Sequence, residues 1–249
     1  MIANAGKAGG VLQARAMINL YFWTTPNGYK VTILLEELGW TYNVIPVHIG
    51  KGEQFVPEFL KISPNNKIPA LVDHDGPGHT PIAIFESGAI MMYLAEKSGW
   101  RFMPADMPRR YDVVQWLMFQ MGSVGPMLGQ AHHFRRYAPE PIPYAVERYT
   151  NEARRIYSVI DRRLSEAPYL AGEYSIADMA TYPWLRPHKW QGQDLAEFPH
   201  LSRWYADVRA RPAVQRGLAI LQDTLDRNRR KPSGKAWDTL FGAKQFERR

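Results

Sequence analysis

The chain reads as an α+β fold: a small mixed βαβαββα unit over residues 18–97, followed by an all-helical half over residues 109–226. Three observations predict it. Short β-branched and aromatic runs alternate with helical stripes as far as Phe85, and strand signals then stop. Proline and glycine punctuate the first half at close spacing, which marks short elements joined by tight connections. Beyond residue 108 the apolar residues recur at helical spacing, in segments too long for strands.

Residues 18–23 form the first strand, closed by Thr24-Thr25-Pro26-Asn27-Gly28. A helix follows, with Val31, Leu34, Leu35 and Leu38 on one stripe and Gly39 ending it. Residues 42–49 are a second β-branched run. Gly50-Lys51-Gly52 is a loop, residues 57–62 a short helix, and Ser63-Pro64-Asn65-Asn66 its break. Residues 68–72 read as a third strand, joined through the turn at residues 73–78 to a fourth at residues 81–85. Ser87 then caps a helix to about Lys97. This succession, within about 80 residues, is the thioredoxin-like arrangement.

Residues 98–108 carry breakers and no periodicity and are assigned as a linker. A long helical pattern over residues 109–134 is interrupted at Gly122-Ser123-Val124-Gly125-Pro126, where proline is expected to kink or break it. Residues 144–167 form a second long helix. Ser175-Ile176-Ala177-Asp178 is a capping box with Asp in the fourth place; a catalytic carboxylate is conceivable there, but a capping group is the better reading. Residues 201–210 and 212–226 complete the helical half. Residues 1–17 stand as an N-terminal extension and residues 227–249 as a basic C-terminal tail. Residues 89–95 and 113–121 are apolar on more than one face, which calls for a second partner, most economically another copy of the chain.

The chain has 249 residues and a formal charge of +7. The excess lies in its two ends; between them acids and bases balance, which argues against a nucleic-acid groove. Both ends are therefore expected to be dispensable for ligand binding and turnover, although the apolar character of Trp237-Asp238-Thr239-Leu240-Phe241 hints at docking on the body. No run of 18 apolar residues argues for a membrane span, and the first 16 residues lack the apolar core of a secretory signal. Cysteine is absent, which excludes disulfides, thiolate metal sites and a cysteine nucleophile, and fits a cytoplasmic setting.

That absence shapes the reading of the site. The loop after the first strand precedes a helix N-terminus, where free N–H groups and the helix dipole stabilise an anion. A thiolate fits, but the thiol must arrive with a ligand. The Thr25 hydroxyl suits two roles equally: an N-cap, or a hydrogen-bond donor that favours a sulfur anion. Ile68-Pro69 is well placed for a cis peptide, leaving the Ile68 backbone free to pair with an extended peptide. At Phe85-Glu86-Ser87-Gly88, Ser87 and the helix N–H groups suit a carboxylate and Glu86 an ammonium. Around one cleft, these features describe a site for a tripeptide thiol. His132 and His133, adjacent on a helix, point about 100° apart and cannot easily share a metal ion; they are cleft lining at best.

From residue 18 to residue 225 the chain resembles the cytosolic glutathione transferases, and specifically the bacterial nu-class enzymes that act as disulfide-bond reductases. The motifs are Thr24-Thr25-Pro26-Asn27-Gly28, Gly50-Lys51-Gly52-Glu53-Gln54-Phe55, Ile62-Ser63-Pro64-Asn65-Asn66-Lys67-Ile68-Pro69-Ala70, Phe85-Glu86-Ser87-Gly88, Gly125-Pro126-Met127-Leu128-Gly129-Gln130 and Ile142-Pro143-Tyr144-Ala145. The resemblance implies that Thr25 donates to the glutathione sulfur, assisted by Asn27. It implies that Gln54 meets the glycyl end, that the Ile68 backbone meets the cysteinyl residue with Lys67 among the contacts, and that Glu86 and Ser87 hold the γ-glutamyl end. Arg148 is a further candidate from the helical half, or else the partner of Glu147 or Glu152. It also implies a homodimer, glutathione as co-substrate (two reduced or one oxidised per subunit), no metal, and a small disulfide as substrate. Conjugation of glutathione to electrophiles, and a non-catalytic binding or regulatory role, are the competing functions.

Overall fold

The computed structural model describes residues 17–222 and 231–247. The first half is a four-stranded mixed sheet in the order β2-β1-β3-β4. Its strands are β1 (Ile18–Phe22), β2 (Tyr42–Pro46), β3 (Ala70–Asp73) and β4 (Ile82–Phe85). β1 runs parallel to β2 through helix α1 (Pro26–Leu38) and antiparallel to β3, which pairs antiparallel with β4. Two strands are shorter than their β-prone runs. β2 ends at Pro46, short of residue 49, although the Val47 N–H still donates to the Phe22 carbonyl at 2.9 Å, and β3 starts only after the cis Ile68–Pro69 bond. A single helical turn, α2 (Pro57–Leu60), and helix α3 (Ser87–Lys97) complete this half.

The second half is helical: α4 (Met107–Phe119), α5 (Gly125–His132), α6 (Pro143–Glu166), α7 (Ile176–Leu185), α8 (Pro199–Ala210), α9 (Pro212–Ala219) and α10 (Gly234–Phe241). α4 starts two residues before the expected boundary because the Asp106 carboxylate accepts from the Arg109 N–H. The interruption expected at Pro126 is a π-helical turn, Gln120–Val124, after which Gly125 and Pro126 open α5. At α7 the capping box is complete: Ser175 Oγ accepts from the Ala177 N–H, and the Asp178 carboxylate accepts from the Ser175 N–H. Asp178 also accepts from the Leu170 N–H and from Trp204 Nε1, at 3.0 and 2.8 Å. Burial pushes its carboxyl up to about 6 against those donors. It is a structural cap.

Helix α1 is the hinge of the architecture. The sequence marks one apolar stripe, yet nine of its thirteen residues are buried, including the unbroken run from Gly28 to Leu35. The sheet and α3 cover one side, and α7 and α9 of the helical half cover the other. Thr32 Oγ1 donates to the Gly217 carbonyl at 2.9 Å, and Arg211 pairs with Glu37 through Nε and Nη2 at 2.6 and 3.1 Å. The guanidinium of Arg211 also stacks 3.8 Å from the Tyr174 ring. Gly28 lets the first turn of α1 reach β1: a methyl there would lie 2.5 Å from the Trp23 carbonyl oxygen and 2.7 Å from the Phe22 ring. Among the described residues no helix is long and apolar enough to cross a membrane.

Two outcomes follow for stability. Gly28→Ala should destabilise the chain strongly, because backbone must move to admit the methyl, whereas Gly122→Ala, which meets nothing within 4 Å, should be tolerated. Thermal unfolding of the two variants distinguishes them. Asp178→Asn turns an amide NH₂ toward donors that need an acceptor, and should cost about 1–3 kcal/mol in urea unfolding.

Candidate active site

The residues singled out at the end of β1 lie at the N-terminus of α1. Thr25 is the N-cap: its Oγ1 accepts the Gly28 N–H at 3.2 Å, in an extended conformation (φ −129°, ψ 159°). The two roles read for Thr25 are compatible, because a hydroxyl that accepts from the helix keeps its own proton to donate elsewhere. Asn27, two residues on, accepts from Trp184 Nε1 of α7 through Oδ1 at 2.9 Å. Indole N–H is only a donor, so this bond fixes which end of the amide is oxygen and leaves the NH₂ group as a donor. Trp184 is a residue that sequence reasoning missed.

The second strip of the site runs from Gln54 to Ile68. Gln54 is buried, and its Oε1 has no hydrogen-bond partner among the described residues. Ser63 Oγ donates to the Lys67 carbonyl at 2.8 Å, holding the approach to Ile68. The Ile68 N–H and C=O make no backbone hydrogen bond among the described residues, so this residue offers both a donor and an acceptor to an extended ligand. Lys67 extends outward, and its Nζ donates to Gln245 Oε1 at 3.2 Å.

The third strip is the β4–α3 junction. Glu86 holds φ 70°, ψ 115°, a conformation that costs a non-glycine residue about 1–3 kcal/mol. Its Oε1 accepts from Asn65 Nδ2 at 3.4 Å, which ties this junction to the second strip. Ser87 starts α3, buried, among the free N–H groups of the first turn. Behind it lies a second residue that the sequence reading passed over. Lys30, on α1, is 2% exposed, and its Nζ donates to Ser87 Oγ at 3.3 Å and to Gln120 Oε1 at 2.5 Å. Burial draws its ammonium down to about 7, against the field of Glu86. The signal available in the sequence was a lysine in the midst of a buried helical run.

The sequence also singles out residues of the helical half. Arg148 on α6 is half exposed and pairs with Glu152 at 3.5 Å, so it is engaged along its own helix. His132 lies against the rings of Tyr137 and Trp190, at 4.9 and 5.0 Å between ring centroids. Burial, then the charge of Arg136, lowers it to about 4, so it is neutral near pH 7. His133 meets the Phe241 ring of α10 at 4.8 Å. Thus α10 docks: Trp237 Nε1 donates to the Tyr137 carbonyl at 3.0 Å, and the buried Thr239 packs on Gly52. With Gln245 at Lys67, residues 231–247 bridge the helical half to the loop that carries Gln54.

Comparison with known proteins agrees with this fold. Residues 16–96 match the glutathione S-transferase N-terminal domain and residues 131–212 the glutathione S-transferase C-terminal domain. The disulfide-bond oxidoreductase YfcG of Escherichia coli (strain K12) is 52% identical over 84% of this chain and 97% of its own. A glutathione transferase family member of Pseudomonas fluorescens pf-5, solved with two glutathione bound, superposes with a TM-score of 0.78 at 46% identity, covering 83% of this chain and 94% of that one. A glutathione transferase of Pseudomonas putida, solved with one glutathione disulfide per subunit, gives 0.79 at 44% identity, covering 84% of this chain and 94% of that one. On its two matched domains, its sheet topology and the identity it shares with these relatives, the chain belongs to the glutathione S-transferase family.

Proposed function

We propose that this protein is a glutathione-dependent disulfide-bond reductase. The observation that carries the reading is the Thr25 hydroxyl. It accepts from the Gly28 N–H, keeps its proton for an incoming sulfur, and stands at a helix N-terminus in a chain without cysteine. Glutathione supplies the thiol. Its sulfur ionises against the Thr25 O–H and the Asn27 NH₂, both of which favour the anion. Gln54 meets the glycyl end, the Ile68 peptide pairs with the cysteinyl residue, and Glu86 and Ser87 grip the γ-glutamyl ammonium and carboxylate. Lys67 borders this site, and Arg148 reaches it from the helical half once it exchanges Glu152 for the ligand.

The thiolate attacks the substrate disulfide, forming a glutathione mixed disulfide and expelling one substrate thiolate. A second glutathione thiolate attacks that mixed disulfide and expels the other. Two protons lost by glutathione return to the two substrate thiols, and glutathione disulfide leaves. This chemistry calls for two reduced glutathiones or one disulfide per subunit; in support, the Pseudomonas fluorescens relative was solved with two glutathione bound and the Pseudomonas putida relative with one glutathione disulfide per subunit. The name carried by YfcG supports disulfide reduction over conjugation to carbon electrophiles. We place the protein in the cytoplasm, where glutathione is kept reduced, and expect neither nucleic acid nor membrane as partner.

We also propose a homodimer through α3 and α4. Met107, Tyr111 and Met118 remain exposed on α4, Tyr111 by 61%, and Phe85 is exposed just before α3. Such a row of large apolar side chains fits an interface better than solvent.

Two measurements test these readings. With glutathione, glutathione reductase and NADPH, a small disulfide should turn over well above the enzyme-free rate and above conjugation of a chloro-nitroaromatic. Thr25→Ala should lower that turnover about 10- to 100-fold, the loss of one hydrogen bond to an anion, while Thr25→Ser keeps most of it. Rapid conjugation with disulfide turnover at the blank would replace the reductase by a conjugating transferase. For the dimer, light scattering at micromolar concentration should give twice the chain mass of 28.6 kDa, and a monomer would reject the interface.

A further inference from the structure

We propose that Lys30 is a positioning residue of the glutathione site: its ammonium stands behind Ser87 as the fixed counter-charge for the α-carboxylate of the γ-glutamyl moiety. This rests on the reading of Ser87 as the carboxylate contact and goes beyond it. Among the described residues Lys30 Nζ has three hydrogen-bonding neighbours. They are Ser87 Oγ at 3.3 Å, Gln120 Oε1 at 2.5 Å and Met121 Sδ at 3.6 Å, all neutral acceptors. A buried ammonium whose hydrogen-bond partners are all neutral is costly, because these partners and the field of Glu86 return only part of the charge stabilisation that water gave. A ligand carboxylate on the far side of Ser87 would offset that cost.

The hydrogen-bond directions point the same way. An ammonium is only a donor, so Ser87 Oγ must accept from it, and the Ser87 proton is turned away from Lys30. Within the chain that proton meets the weak thioether acceptor Met121 Sδ at 3.7 Å. A carboxylate at the first turn of α3 is a far stronger acceptor. Lys30, Ser87 and the carboxylate thus form a charge relay in the literal order cation, hydroxyl, anion, added to the pull of the helix N-terminus. The same Nζ reaches Gln120 in the π-helical turn, so the helical half helps to hold the cation in place.

Of the charged groups on the elements packed against α1, Glu86 at the start of α3 is the one whose field reaches Lys30. Lys97 at the far end of α3 pairs with Asp73. On α7, Asp178 is engaged by its capping donors, and Arg186, just past its end, lies over the Tyr29 ring. Around α9, Arg211 and Arg216 pair with Glu37 and Glu36. Burial brings the free ammonium near neutrality, and an anion beside it reverses that shift. Ligand binding above pH 7 should therefore take up a proton, and affinity should fall as pH rises.

The test uses S-methylglutathione, whose blocked sulfur releases no proton, and the same compound with the γ-glutamyl α-carboxylate converted to a primary carboxamide. Calorimetric titration of the wild-type protein at pH 7.5, in two buffers of different ionisation enthalpy, should show uptake of a sizeable fraction of a proton with the carboxylate ligand. The amide should show only the smaller uptake due to its own amine, which titrates at about 8. The wild-type protein should prefer the carboxylate about tenfold or more, and Lys30→Met should reduce that preference about fivefold or more and abolish the uptake. Lys30→Gln, which keeps a polar group without the charge, serves if the methionine variant does not fold. A folded variant with the wild-type preference, or no proton uptake by the wild-type protein, overturns the role of Lys30 and leaves the glutathione reading intact. Failure of the wild-type protein to bind either ligand overturns that reading, and the Lys30 proposal with it.

Discussion

The burial of α1 on all sides is the constraint on which the rest of the structure depends. A helix closing a βαβ crossover ordinarily hides one face against its sheet and leaves the other to water. Here the outer face carries Thr32, which bonds Gly217 across the domain junction, and Glu36 and Glu37, which pair with Arg216 and Arg211. The two halves therefore cannot shift against each other without unpacking α1. Its N-terminus, where Thr25 and Asn27 stand, inherits that rigidity. A methyl at Gly217 would meet the Ile33 backbone at 2.8 Å, so the close approach of α9 is itself set by a missing side chain.

Rigidity at α1 converts distant contacts into site geometry. Trp184 is 157 positions from Asn27 in sequence, yet it fixes the orientation of the Asn27 amide. Gln120 reaches the same helix from a π-helical turn, a form that inserts an extra residue per turn and re-aims side chains. Residues 231–247 approach from the opposite direction, with Phe241 among the aromatics of the helical half and Thr239 on Gly52 of the glutathione-binding half. Each of these contacts joins one half of the chain to the other. The site belongs to the junction rather than to the thioredoxin-like unit alone.

Much of this was legible in the sequence, and the illegible part has a common cause. The βαβαββα order, the cap at Thr25, the cis bond at Ile68–Pro69 and the capping box at Ser175 all follow from local chemistry: a proline ring, a hydroxyl at a helix start, a carboxylate three residues on. The strand ends shifted because ladder pairing depends on the neighbouring strand as well as on β-propensity. Lys30 and Trp184 escaped because their roles arise only when residues far apart in sequence meet. A lysine at one position of a helix is ordinarily solvated, and nothing in the stripe of Val31, Leu34, Leu35 and Leu38 discloses that the opposite face is covered too. The strained φ of Glu86 is likewise imposed by the strand-to-helix corner, since glutamate itself has no preference for it.

The division of labour that emerges explains why a chain without cysteine can serve thiol–disulfide exchange at all. An enzyme that attacks with its own thiol must bring that sulfur to the substrate and then have it regenerated, so its reactivity and its exposure to irreversible oxidation rise together. When the sulfur belongs to a ligand, the protein needs only donors and charge placed where the anion forms. In the arrangement we propose, Thr25 and Asn27 would supply donors at the thiolate, and Ser87 one at the carboxylate. A cation in contact with the sulfur would stabilise the thiolate further but also make it a weaker nucleophile, because nucleophilicity falls as the thiol pKa falls. Neutral donors at the sulfur and a buried cation at the other end of the ligand would separate the two requirements: on the proposed roles, affinity is drawn from the carboxylate, and the sulfur keeps its reactivity.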